Sequence, residues 1–342
     1  MNGSVTLRTP TDVLAAVPYL LGFHPTDSVV VVGLYGRQVV FNVRADLPAP
    51  GVPPDEVALL ADDMARVLAG HRADRALVVG YGSPAQVTRS VFAVRDALTR
   101  DRVAVIEMLR VSDGRYWSYM CASPDCCAPD GTPFDTSGTE IAAAATFAGR
   151  VVLPDRTSLT GVVAPPDELA LVAIERATTQ AAADLARELA DGPVAGAARQ
   201  RAAVRVYRTG LERHRHGSRL DDEELARLTL LIRTVDARDA VWERILAAGT
   251  NLDAHVDLWR DVVRRARPDL AVAPAALLAF TAWRSGDGSL AWCAVQRALT
   301  EDPGYSLAHL VGEALMRALP PTALDRVSPR PRRVCRRRVR AG

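Results

Sequence analysis

Cys121, Cys126 and Cys127 crowd into a C-x4-C-C pattern followed by Pro129-Asp130-Gly131. Thiolates at this density suit zinc, but a structural zinc site takes four ligands, usually at spacings of two to four residues. Adjacent cysteines seldom reach one ion, and the fourth ligand would have to be Asp125, Asp130 or the distant His24. Reduced loop thiols are therefore the expectation, with a zinc site, a reversible redox pair and a catalytic nucleophile as alternatives. No other cofactor is expected.

A second candidate is His24 in Gly22-Phe23-His24-Pro25, with Asp27 close behind it. A histidine there could move protons, yet it precedes its strand, whereas ligands of open α/β sheets gather beyond the C-terminal ends of strands. A structural turn histidine is favoured. Gly80, Gly82 and Ser83, in Gly80-Tyr81-Gly82-Ser83-Pro84, follow an apolar run and open a helix, where backbone N–H groups can hold a phosphate or carboxylate. The dinucleotide spacing and a downstream lysine are both missing, so a glycine-built turn is the simpler reading. Asp221-Asp222-Glu223-Glu224 resembles a carboxylate cluster but begins a helix, where negative charge offsets the dipole. His214 and His216, on different sides of one helix, are expected at the surface.

All 42 basic residues are arginine, because the sequence holds no lysine. That excludes a Walker-type lysine, a Schiff-base lysine and a lysine general base. The net charge of +2 hides an asymmetry: eight arginines and no acid lie beyond residue 325, so the rest of the chain is net acidic. This tail, with Arg332, Arg333, Arg336, Arg337 and Arg338, is composed as a disordered extension, and weak contact with a polyanion such as nucleic acid is its alternative role. Five cysteines in a chain of 342 residues do not make a disulfide framework. No apolar run approaches the roughly 20 residues of a membrane span, and Met1-Asn2-Gly3-Ser4 lacks the character of a secretory signal. A cytoplasmic protein with no membrane partner is expected.

Around these residues, periodicity predicts a short strand at Val5–Leu7 and a helix opened by Thr9-Pro10-Thr11-Asp12, kinked at Pro18 and ended by Gly22. A hairpin of Ser28–Leu34 with Gln38–Arg44 follows, then a helix (Asp55–Ala69), a strand (Arg75–Tyr81), a helix (Pro84–Leu98) and a strand (Arg102–Val111). Alternation of this kind implies an α/β domain over residues 1–165 with a mixed, partly parallel sheet. Residues 116–138, with the cysteines, read as one long loop. From Asp167 to Leu319 the composition turns helical, giving an all-α domain over 166–320 before a disordered tail at 321–342.

Within that domain, Pro274–Arg284, a Gly-Asp-Gly turn and Ser289–Leu299 form a tetratricopeptide-like helix hairpin, with small residues at Ala279, Ala282, Ala291 and Ala298 and a stop at Asp302-Pro303. The helix Ser306–Leu319 would stack on it, so the unit spans 274–318. An earlier, degenerate unit is suggested by Ala237–Ala247 and Asp253–Arg265. Three stretches also resemble an actinobacterial family, domain-of-unknown-function family 4192: Leu14–Pro25, Arg115–Tyr119 and Trp283–Leu290. The resemblance covers residues 11–320 and implies no reaction and no catalytic residues. The favoured function is a non-catalytic binding or adaptor protein offering a peptide or protein surface on its helical domain. The alternatives are an enzyme or ligand sensor near His24 and the cysteine loop, and nucleic-acid association through the tail.

Overall fold

The fold is taken from a computed structural model that describes residues 7–123, 127–147, 151–165, 167–188 and 195–326. Most of the strand expected at Val5–Leu7, together with Cys126 and the arginines of the tail beyond Arg326, lies outside those residues.

Helix α1 (Pro10–Leu21) starts at a capping box: the Thr9 hydroxyl accepts from the Asp12 amide, and the Asp12 carboxylate accepts in return from Thr9 N. It runs through Pro18 and stops where Gly22, at φ 82°, takes the left-handed conformation that a glycine tolerates. β1 (Ser28–Tyr35) and β2 (Gln38–Asp46) form the expected hairpin, followed by α2 (Pro54–Gly70), β3 (Arg75–Tyr81), α3 (Pro84–Arg100) and β4 (Ala104–Ser112). The sheet is mixed. Its order is β2-β1-β3-β4 and then β5 (Arg115–Ser118) and β6 (Thr132–Pro133), with β3 and β4 parallel and the other pairs antiparallel. The expected long loop is thus corrected at both ends: Tyr116 to Ser118 and Thr132-Pro133 zip onto the sheet, because β4 leaves an open edge that the turn at Asp113-Gly114 folds back upon.

Alternation along the central strands explains why they are apolar throughout. Val29 and Val31 of β1, Val78 of β3 and Met108 of β4 pack against α2 and α3, while Val30, Val32, Val79 and Leu109 face the opposite layer. That second layer begins with α1 and continues through the short helices α4 (Glu140–Phe147) and α5 (Arg156–Gly161) into a helical array: α6 (Glu168–Glu188), α7 (Ala195–Arg215), α8 (Asp222–Leu231), α9 (Val235–Ala247), α10 (Asp253–Arg265), α11 (Val272–Ser285), α12 (Gly288–Glu301) and α13 (Ser306–Met316). One apolar cluster runs without a break from the sheet face through Leu159, Val163 and Ile174 to the array, so the helices lean on the sheet rather than stand apart from it. No described helix is long and apolar enough to cross a membrane.

The acidic run behaves as expected at the start of α8, where Asp221 is the N-cap and exchanges hydrogen bonds with Glu224. His214 does not. Its side chain is 9% exposed, its Nδ1 lies 2.9 Å from the Gly210 carbonyl, and its ring faces Asp261 of α10 at 3.9 Å. Packing of α10 across α7 buries that side of the helix, while His216 remains exposed.

Candidate functional site

His24 serves the backbone. Its N–H donates to the Leu153 carbonyl at 3.0 Å, and the Leu153 N–H donates to Gly22 at 2.9 Å, so the segment before β1 is pinned to the segment before α5 while the imidazole stays exposed. Asp27 sits at φ 42°, and its carbonyl accepts from Leu47 N at 2.8 Å. The chain brings Asp27 beside Gly82: a Cβ built on Gly82 would stand 3.3 Å from Asp27 Oδ1. The Gly82 amide, one of the backbone N–H groups nominated for an anion, donates to the Val111 carbonyl of β4 at 3.1 Å, and the Ser83 hydroxyl donates to Gln86 Oε1 at 2.8 Å.

Gly80 has a packing reason. A Cβ there would lie 2.3 Å from Val87 Cγ1, so the missing side chain lets α3 press onto β3. Strand propensity alone would make Gly80→Ala neutral or favourable. The expected outcome is instead a loss of about 1–3 kcal/mol by overpacking, read from chemical denaturation; unchanged or higher stability would show that α3 has room to spare.

The cysteine segment lies elsewhere. β3 and β4 intervene between β1, which His24 precedes, and β5, which Cys121 follows. Cys121 N donates to the Ser118 hydroxyl at 3.2 Å, and Cys127 N to the Ser123 carbonyl at 2.8 Å. The return of the segment is fastened by Trp117, whose Nε1–H donates to Pro129 O at 2.9 Å, and by Arg115, which donates to Gly131 O at 2.7 Å. Gly131, at φ 83°, presses so closely on the indole that a Cβ would come within 2.5 Å of it. Among the described residues no three His, Cys, Asp or Glu side chains gather as a metal site.

One concave feature combines parts that no motif connected. A pocket of about 770 Å³ opens between the free edge of β2 and the helical array. All six residues from Val39 to Arg44 line it. Successive strand residues point to opposite faces, so the groove must follow the strand edge itself. Leu20 and Phe23 close one end, and Leu159 of α5 lies beside them. The helical array contributes Trp283 of α11, Gly286, Gly288 and Ser289 at the turn, and Trp292 and Cys293 of α12, while residues between Leu315 and Thr322 form a further rim. That rim is tied down twice. His71 Nε2–H donates to the Ala318 carbonyl at 2.7 Å while its ring stacks on Phe41 at 3.8 Å, and Trp283 Nε1–H donates to Leu319 O at 3.1 Å.

The charged lining is basic. Arg44, Arg156 and His71 line the pocket, and none of the described lining residues is an acid. Arg44 is held from outside: Nε donates to Ser28 Oγ at 3.0 Å and Nη2 pairs with Asp46 at 2.6 Å. Asp46 also faces Arg156 at 3.4 Å, so one carboxylate bridges two guanidinium groups at the mouth. The buried Cys293 thiol is pushed up by desolvation, partly offset by the charge of Arg156, and a thiol so held is a weak nucleophile.

A family model matches residues 10–322, spanning nearly the whole described fold, and the matching description is "Domain of unknown function (DUF4192)". The chain belongs to that family. No curated protein and no solved structure matches it. Family membership therefore brings no ligand and no site residues. Sequence reasoning had nominated none of Arg44, His71, Arg156 and Trp292 for a site, and Trp283 entered only as the first residue of a stretch carrying the family resemblance. The one signal available for them was the Val39-Val40-Phe41 run on a strand with an unpaired edge.

Proposed function

We propose that the protein is a non-catalytic binding protein whose site is the pocket between the β2 edge and the α11–α12 pair. The pocket itself carries this reading: its volume of about 770 Å³ falls in the range of small-molecule sites, and its lining is mostly apolar and aromatic with a few placed polar groups. We read α11–α12 as a tetratricopeptide-like unit. The two helices have 14 residues each, Gly286 ends the first at φ 87°, and Ala279, Ala282, Ala291 and Ala298 are fully buried where small residues permit close approach. α13 packs against both. In this reading the unit presents its inter-helix turn, rather than a concave helical face, to the ligand, and the protein acts in the cytoplasm.

The test uses a neutral solvatochromic dye, Nile red, with the full-length protein. We expect a blue-shifted emission that saturates at one dye per chain and loses at least about tenfold in affinity in Ser289→Trp, which fills the mouth from the helix turn. Circular dichroism establishes that the variant is folded. Absence of dye binding, or binding indifferent to Ser289→Trp in a folded variant, overturns the assignment.

A further inference from the structure

Resting on that binding reading, we propose that the ligand is an elongated aliphatic monocarboxylate, a free fatty-acid-like anion, with its chain along the β2 edge and its carboxylate at Arg44 and Arg156. Three observations converge. The first is charge. Two guanidinium groups, Arg44 and Arg156, share one carboxylate, Asp46, and no acid is among the described lining residues, the charge of Asp287 being felt at the lining Cys293 from the turn beside it. A monoanion complements that arginine pair where a dication or a neutral polar molecule would not.

The second is donor geometry. Arg44 uses Nε and Nη2 for Ser28 and Asp46 and keeps Nη1 unengaged, with its side chain only 14% exposed. Arg156, half exposed, makes one ion pair among the described residues, to Asp46 through Nη1. A guanidinium carries five donors in a planar fork shaped for carboxylates. Asp46 already demonstrates that a carboxylate fits between these two, and an incoming one would join or replace it.

The third is shape. Six consecutive strand residues give a groove roughly 20 Å long. Its walls include the largely apolar side chains of Leu20, Phe23, Leu159, Trp283, Trp292 and Leu315, and its polar groups are few: Asn42 and Ser289, the Trp292 indole N–H and the outward backbone groups of the β2 edge. An extended peptide pairing with β2 is the competing occupant. The edge is interrupted for it: the register passes from Gly33↔Phe41 to Leu34↔Val39, so Val40, the second of the six lining residues, bulges out of the ladder and twists the edge near one end of the groove. A hydrocarbon chain needs contact and no ladder.

Titration calorimetry of the full-length protein with decanoate, 1-decanol and an apolar hexapeptide with a free C-terminus tests this. Decanoate is expected to bind one per chain, about tenfold or more tighter than 1-decanol, as a charge-assisted hydrogen bond at a partly buried arginine allows. Arg156→Gln should remove that advantage while leaving 1-decanol binding unchanged. Asp46→Asn, which deletes the internal competitor, should tighten decanoate severalfold. Equal affinities for decanoate and 1-decanol, or a preference that survives Arg156→Gln, overturn the carboxylate assignment; if both ligands still displace Nile red, the pocket reading stands without it. Binding of the hexapeptide with none of decanoate overturns it in favour of strand addition.

Discussion

Trp259→Ala is expected to lower the unfolding free energy by about 3–5 kcal/mol, near the upper end of what one side chain contributes. Trp259 lies on α10 with 0% exposure, and its indole stacks on Tyr207 of α7 at 5.7 Å with the rings inclined by 17°. Truncation leaves a ring-sized cavity where α7 and α10 meet, and neither helix can collapse into it while α9 and α11 hold them from the other sides. The indole Nε1 has no hydrogen-bond partner among the described residues, so it is desolvated without compensation. Trp259→Phe should for that reason recover most of the loss, since it keeps an aromatic stack and removes the unpaired N–H. Denaturant titrations of both variants decide the matter. An alanine variant within about 1 kcal/mol of the parent, as is usual for surface substitutions, would show that the α7–α10 contact is loosely packed.

The same helices show where sequence reasoning reaches and where it stops. Patterns that act over one or two turns were readable: the Thr9/Asp12 capping box, the β-branched run of β1 closed by Gly36, and the Gly286 stop between α11 and α12 all stand where local chemistry places them. The four-residue β5 escaped notice because its pairing is supplied by β4 and not by its own composition. Gly80 and Gly82 read as a turn with an anion cradle as the alternative, because glycine is ambiguous in sequence. Only the 2.3 Å approach of Val87, and the carbonyl of Val111 on another strand, show what those glycines accommodate.

The pocket lay furthest from view. His71 and Ala318, which clasp its rim, are 247 residues apart, and Arg44 and Arg156 meet only because Asp46 lies between them. Charges that appear solitary along the chain become a site when the end of the helical array returns to the sheet edge. Spacing cannot encode such a meeting, whereas an unpaired strand edge with exposed Val39 and Val40 records that something must cover or use it.

Acidification should act on another buried polar group of the array. His255 of α10 is 3% exposed, shares a hydrogen bond between its Nδ1 and the Tyr207 hydroxyl, and lies near the positive charge of Arg215. Burial, reinforced by that arginine, pulls its pKa from 6.5 down to about 4. The folded protein therefore keeps the ring neutral through a range in which the unfolded chain binds a proton. Between those two values the unfolded state holds more protons, so unfolding free energy rises with pH there. The contribution of His255 is complete above pH 6.5, falls as pH drops toward 4, and is gone below, a change of about 3 kcal/mol at 1.36 kcal/mol per unit. Aspartates such as Asp12, whose pKa is lowered chiefly by the Arg8 amide, lose their contributions mainly below that window, so the two effects separate along the pH axis. Denaturant midpoints measured from pH 7.5 to 4 for the parent and for His255→Gln should diverge at neutral pH and converge toward pH 4, because glutamine does not titrate. Parallel profiles across the window would mean that the imidazole takes up its proton in the folded state, and the α7–α10 interface would have to admit a charge it is packed to exclude.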